Sequence, residues 1–148
     1  MLRCRLAVTL ALVFAPSLGR AQDSKPIRIE IVANDYAFLA LPTRVAAGST
    51  EFTFQNQGKV NHEVAIAHLE PGTSIEEVVK VSKAGGRIRD VAPRMVGILI
   101  AAPGKKPEGR LLVDLVRGET YLVFCNFRDT PEAPPHMTLG MYTTFKAQ

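Results

Sequence analysis

Hydrophobic and polar positions alternate along most of the chain, as in β-strands that bury one face. The alternation is clear at Ile27–Ile31, at Glu51–Gln55 and at His62–Leu69. It returns at 111–116, 121–127 and 141–146, and residues that favour turns, such as Gly118, separate these stretches. The pattern therefore predicts a protein built mainly of short strands.

One segment departs from this alternation. Between residues 73 and 83 the apolar residues recur every three or four positions, which indicates a helix. Thr73 with Glu76, or Ser74 with Glu77, could form a capping box at its start, and a pair of glycines follows its end. We predict one short helix around residues 74–83.

About seven strands, with turn residues between them and a single helix, favour one fold class. The prediction is an all-β Greek-key β-sandwich or barrel, with the helix on a crossover. The chain shows no repeat period and no low-complexity tract.

The first 21 residues have the pattern of a secretory signal peptide. Arg3 and Arg5 precede the apolar stretch Leu6–Ala15, and the small residues Gly19 and Ala21 lie at the exit. The apolar stretch is shorter than the roughly 20 residues that span a bilayer. We expect cleavage after Ala21, a domain over residues 22–148, a periplasmic or secreted protein, and no stable membrane insertion.

Composition is consistent with one globular domain, since 47% of the 148 residues are hydrophobic and 22% are charged. The formal charge of +4 could suggest a nucleic-acid partner. However, loss of Arg3, Arg5 and Arg20 leaves 15 of the 18 basic residues against 14 acidic ones. With a net charge of +1 and no basic tract, we expect no nucleic-acid partner.

Cleavage would also remove Cys4 and leave Cys125 as the single cysteine. An exported chain with one cysteine cannot close an internal disulfide. The thiol is then buried and inert, free and reactive, paired to another chain, or bound to a metal.

Four residues together favour the last of these states, in which the Cys125 thiol binds a metal. His62, Cys125, His136 and Met141 supply two imidazoles, a thiolate and a thioether, the donors of copper sites that transfer electrons. The last three form the run Cys125-x10-His136-x4-Met141. Met137 is a nearby alternative for the thioether.

On these residues the chain resembles the cupredoxin family. Further matching segments are Ala47-Gly48, Glu51-Phe52-Thr53-Phe54, Asn56-Gln57-Gly58, Asn61-His62-Glu63-Val64, Gly118-Glu119-Thr120-Tyr121 and Pro135-His136-x-x-x-Gly140-Met141. The resemblance implies one copper ion that cycles between Cu(I) and Cu(II), with His62, Cys125 and His136 as equatorial ligands and Met141 as the axial one.

The chain differs from the small cupredoxins at two points. Ten residues separate Cys125 from His136, which is a longer spacer than usual. Glu63 follows the early histidine, where the family often has an asparagine that braces the cysteine loop, and Asn61 precedes it. Strand alternation directs Asn61 away from His62, so the brace is lost or supplied by another group.

Other residues point to no catalytic activity. Cys125 with a histidine could act as nucleophile and base, but no thiol-protease signature, phosphate loop, dinucleotide fingerprint or CxxC pair is present. His68 shares a strand face with His62 at a distance of roughly 20 Å, so we expect a structural role. Met95 is expected in the core. We predict that the protein is not an enzyme.

The predicted function is that of an exported single-electron carrier. Redox partners are expected to dock transiently near Pro135 and Leu139, with Pro134 and Met137 beside them. The reason is that in the family the C-terminal ligand histidine reaches the surface through an apolar patch. The residues expected to limit water access are Val64, Val123, Phe124 and Leu139. The alternatives are a copper storage or delivery protein, and a cupredoxin-like binding module with a vestigial metal site.

Overall fold

The computed structural model describes residues 25–148, so the predicted signal peptide lies outside the described residues. The described chain forms two sheets that face each other, and no helix within it is long and apolar enough to cross a membrane. The elements are β1 Ile27–Asn34, β2 Ala37–Leu39, β3 Arg44–Val45, β4 Gly48–Asn56, β5 His62–Leu69, α1 Ile75–Lys83, β6 Arg94–Ala101, β7 Leu111–Leu115, β8 Thr120–Phe124 and β9 Tyr142–Ala147. Short 3₁₀ turns lie at Ile88–Asp90 and His136–Leu139.

The first sheet has the strand order β2-β1-β4-β7, and the second has the order β3-β9-β8-β5-β6. The chain enters the second sheet at β3 and returns to the first at β4. It changes sheet again between β4 and β5, returns between β6 and β7, and changes a last time before β8. Strand β4 pairs parallel to β1, whereas β5 pairs antiparallel to both β6 and β8. The predicted β-sandwich with one short helix is confirmed. The helix joins β5 and β6, which are neighbours in one sheet, so the prediction that it lies on a crossover was wrong.

Strand β6 is the main element that the sequence pattern missed. Gly97 interrupts its apolar run, and a Cβ there would lie 2.7 Å from the Leu111 side chain. The register with β5 also shifts between Ile66 and Ala67, which breaks the simple alternation. Met95, expected in the core, is 41% exposed because it lies on this edge strand, so that prediction was wrong.

Two hydrophobic clusters lie on opposite faces of the second sheet. The cluster between the sheets includes Phe52, Phe54 and Phe145, all at most 1% exposed. On the outer face, α1 packs Val78 into a cluster that also contains Leu122. The second sheet is therefore buried on both faces, and its central strands β5 and β8 are held rigidly.

The start of α1 is determined by its N-cap. Ser74 Oγ accepts a hydrogen bond of 3.1 Å from the Glu77 amide, which selects Ser74 over Thr73 as the cap. The helix ends at Ala84, before the two glycines. The predicted helix is thus present with almost the expected bounds.

Replacing Ser74 with alanine should destabilise the protein. The variant leaves the Glu77 amide without its cap, which typically costs about 1 kcal/mol. Urea unfolding followed by circular dichroism would measure the loss in the free energy of unfolding. Thr73→Ala is the matched control and should leave the midpoint almost unchanged; equal losses in the two variants would contradict the assigned cap.

Candidate metal centre

Three predicted site residues meet at one end of the second sheet. His62 is the first residue of β5, Cys125 directly follows β8, and His136 begins the 3₁₀ turn before β9. All three residues are 0% exposed. His62 Nδ1 lies 3.2 Å from His136 Nδ1 and 3.9 Å from Cys125 Sγ, and His136 Nδ1 lies 3.5 Å from the same sulfur.

These distances fit a metal ion held by three donors. Protein metal–nitrogen bonds are about 2.0 Å and metal–sulfur bonds about 2.3 Å, so a trigonal plane separates two nitrogens by about 3.5 Å and nitrogen from sulfur by about 3.7 Å. The observed separations of 3.2, 3.5 and 3.9 Å lie close to these values. Two imidazoles with one thiolate are the donor set expected for copper in electron-transfer sites. His62, Cys125 and His136 therefore form a three-donor site that suits one copper ion.

Backbone hydrogen bonds hold the two ends of the long spacer together. The His136 amide donates to the Phe127 carbonyl at 2.8 Å, and the Met137 amide donates to the Cys125 carbonyl at 2.7 Å. The Cys125 amide donates in turn to the Met141 carbonyl at 3.1 Å. The ten-residue spacer thus closes at its base, and its length does not keep the donors apart.

The two candidate methionines lie in different clusters. Met141 is 0% exposed and belongs to the cluster between the sheets that also contains Cys125. Met137 is also 0% exposed, but it packs on the outer face with Val78 and Leu122. The structure brings Met141, and not Met137, to the side of the sheet on which the thiol lies.

Glu63 supplies the brace that the sequence left open. Its amide donates to Cys125 Sγ at 3.4 Å, and its carboxylate Oε1 accepts from the Asn126 amide at 2.9 Å. Asn61 precedes β5 and is exposed, so it does not supply the brace. A carboxylate therefore crosses from β5 to the start of the cysteine loop and braces it.

Burial controls the protonation of the donors. Desolvation, with the nearby charge of His136, lowers the pKa of His62, so its imidazole is neutral at pH 7. Desolvation raises the pKa of the Cys125 thiol to about 11. Burial likewise raises the pKa of Glu63. Without a metal the thiol is protonated, and ligation must displace its proton.

The outer nitrogens of the two histidines differ in their partners. His136 Nε2 lies 3.0 Å from Asp129 Oδ1, and Tyr36 donates its hydroxyl to Asp129 Oδ2 at 2.6 Å. His62 Nε2 is buried without a hydrogen-bond partner in the described part of the chain, since Asp35 Oδ1 is 3.7 Å away. The side chain of His136 is only 1% exposed. The expectation that this histidine reaches the surface was wrong, because Asp129 and Tyr36 cover it.

The expected docking residues are only partly accessible. Pro135 and Met137 are buried, whereas Pro134 and Leu139 are exposed. Among the residues expected to exclude water, Val64, Val123 and Phe124 are at most 3% exposed, but Leu139 is 47% exposed. Leu139 is therefore a surface residue and does not shield the site.

His68 lies at the other end of β5. It is 5% exposed, contacts the Glu119 carboxylate, and packs against the Tyr121 ring with 5.5 Å between centroids. Arg94 Nη2 is 3.4 Å from its Nε2. These contacts account for its burial and place it away from the three donors.

Copper affinity should rise with pH. Below the thiol pKa of about 11, ligation releases the Cys125 proton, whereas His62 is already neutral. The affinity should therefore increase roughly tenfold per pH unit between about pH 7.5 and 9.5. A Cu(I) competition titration, corrected for protonation of the chelator, would measure it. Cys125→Ser should lose the slope, and a flat profile in the unmodified protein would exclude a protonated thiol ligand.

Glu63→Ala should destabilise the cysteine loop. The variant removes the carboxylate acceptor of the Asn126 amide, and because this amide is exposed and water replaces the acceptor in part, the loss should be about 1 kcal/mol. Glu63→Gln keeps an acceptor and should lose much less. Thermal unfolding of both variants, with amide exchange at Asn126, would show this; unchanged exchange in Glu63→Ala would rule out the brace.

Comparison with known proteins gives structural matches only. No family model matches the sequence, and no curated protein matches it. The fold is similar to the dithionite-reduced auracyanin of Roseiflexus castenholzii, with a TM-score of 0.57 and 16% identity over 84% of this chain and 99% of that one.

Two further solved structures are similar. Auracyanin A of Chloroflexus aurantiacus, described as a "blue" copper protein, has a TM-score of 0.54 and 18% identity over 84% of this chain and 100% of its own. An azurin of Methylomonas sp. strain J has a TM-score of 0.51 and 16% identity over 82% and 98%. These similarities establish the fold, and the site rests on the residues themselves.

Proposed function

We propose that this chain, whose fold is that of the cupredoxins, is an exported single-electron carrier with one copper ion. The observation that carries the proposal is the convergence of His62, Cys125 and His136, three fully buried donors within 4.8 Å of one another. Copper bound there would supply a one-electron couple between Cu(I) and Cu(II). The protein holds the donors in one arrangement that suits both Cu(I) and Cu(II).

Rigidity is the property that suits the donors to this task. Cys125 is fixed through its amide, its carbonyl and its sulfur, which accepts from Glu63. His62 begins a strand that is paired on both sides. Donors fixed in this way move little when the charge of the metal changes. The reorganisation energy of electron transfer is therefore small.

Met141 is the proposed axial ligand. Its burial in the Cys125 cluster supports this role, and the separate packing of Met137 disfavours the alternative. A thioether on this axis is a weak ligand that tunes the potential. The copper site therefore does not depend on Met141 for its existence.

Export and partner docking complete the proposal. The sequence of residues 1–21 supports secretion to the periplasm or beyond. The proposed docking region is the exposed surface around Pro134 and Leu139, because Leu139 ends the 3₁₀ turn that starts at His136. Such contacts are small and transient between redox proteins.

Addition of one equivalent of Cu(II) to the reduced, purified protein should produce an intense blue or green thiolate-to-copper band. Reductant should bleach the band reversibly, and Cys125→Ser should not show it. A band that forms but passes quickly to a chelator would favour copper delivery over electron transfer. Absence of the band would overturn the proposal that the protein is an electron carrier.

Replacing each methionine with leucine separates the two candidates. Met141→Leu should retain the band but shift its position and raise the potential, because a weak donor is removed. Met137→Leu, a nearly volume-conserving change in the outer cluster, should leave both properties unchanged. Spectroelectrochemical titration of the two variants would measure the band position and the reduction potential. The reverse pattern would identify Met137 as the axial ligand.

A further inference from the structure

Asp129 connects a candidate ligand to the protein surface. Its Oδ1 lies 3.0 Å from His136 Nε2, and its Oδ2 accepts the Tyr36 hydroxyl at 2.6 Å. Because the Tyr36 hydroxyl occupies one carboxylate oxygen, the other oxygen is left to accept from His136. An ionised carboxylate only accepts hydrogen bonds, so His136 must carry its proton on Nε2. His136 Nδ1 is the ring nitrogen that faces Cys125 and His62.

The position of Asp129 is itself fixed by Tyr36. The Tyr36 ring packs edge-on against His136, with 5.0 Å between centroids, and against His62 at 6.3 Å. Tyr36 has a φ of 61°, a left-handed conformation that is strained for a bulky residue. The pairing of Asn34 with Ala37 holds it at the tip of the β1–β2 turn. A strained tyrosine thus covers both rings and orients the carboxylate.

His62 has no equivalent support. Asp35 Oδ1 lies 3.7 Å from its Nε2 and instead accepts the Lys59 amide at 2.7 Å. Gly58 closes the remaining space, since a Cβ there would lie 2.9 Å from His62 Nε2 and 2.5 Å from Asp35 Oδ1. Of the two imidazoles, only that of His136 has a carboxylate within hydrogen-bond distance among the described residues.

We propose that Asp129, held by Tyr36, is a positioning residue that fixes the His136 tautomer and favours Cu(II) over Cu(I). A carboxylate on the outer nitrogen of a ligating histidine fixes its ring and raises its basicity. A negative charge near the centre also stabilises the state of higher positive charge. This inference rests on the proposed copper function and names residues that tune the same site.

The first test needs no metal. Nitrogen-15 NMR of the metal-free protein should show His136 as the Nε2–H tautomer. Asp129→Ala, which removes the acceptor, should lose this preference, with folding checked by the strand amide shifts. An Nδ1–H tautomer in the unmodified protein, or an unchanged tautomer in Asp129→Ala, would overturn the role of Asp129.

The second test compares the two copper states. Asp129→Asn should weaken Cu(II) binding roughly tenfold, at the low end for outer partners of metal ligands because the carboxylate is 34% exposed. Cu(I) binding should change little, so the potential should rise by about 59 mV, the value of a tenfold change for one electron. Tyr36→Phe should shift the potential in the same direction by less.

The matched control is Glu132→Gln, an exposed acidic residue of the same loop. It removes one negative charge and should leave the potential unchanged. An equal shift in Glu132→Gln would reduce the effect to general surface charge and overturn the positioning role. If the unmodified protein forms no thiolate band, the copper function fails, while the metal-free tautomer still decides the role of Asp129.

Discussion

The pairing of β5 with β8 is the constraint on which the site depends. Ala65 pairs with Phe124, so the first residues of β5 lie next to Cys125 and the residues that follow β8. In that register the Glu63 amide meets the Cys125 sulfur, and the preceding histidine faces the same space. Moving β5 by one residue would turn its side chains to the opposite face of the sheet and separate the thiol from its neighbours. Strand pairing thus brings His62 to Cys125, and the backbone bonds of the spacer bring His136 to the same place.

Charge balance explains how such a dry site is tolerated. The protonated Cys125 thiol and the neutral His62 imidazole carry no charge, which avoids the large cost of burying an unpaired ion when no metal is present. A thiolate with Cu(I) is neutral as well, whereas a thiolate with Cu(II) leaves one positive charge. Asp129 is the carboxylate placed to offset that charge, and it remains partly in water, where its own ionisation is inexpensive. The extra positive charge of Cu(II) is therefore balanced by a partly exposed carboxylate at the edge of the site and not by the buried donors.

The sequence predicted the fold class, the helix and the three converging donors, because alternation and chemical type are local properties. Strand β6 was missed because Gly97 and the adjacent register shift conceal its periodicity. The partners of the donors were missed for another reason. Glu63 and Asp129 are ordinary charged residues in sequence, and only tertiary packing brings them to Asn126 and His136. Tyr36 lies almost a hundred positions before Asp129, and no pattern along the chain links the two.

Because the Cys125–His136 spacer is closed at its base by hydrogen bonds, its length does not affect the positions of the donors. Because backbone bonds tie Phe127 to His136 and Cys125 to Met137, the stretch 130–134 is an excursion outside the donor frame. Loop closure adds only about 0.6 kcal/mol for each doubling of length. This stretch is therefore free to diverge in sequence, or to accept a transplanted peptide, without disturbing the donors. It offers evolution and protein engineers a place to change what the molecule recognises while leaving how it binds metal intact.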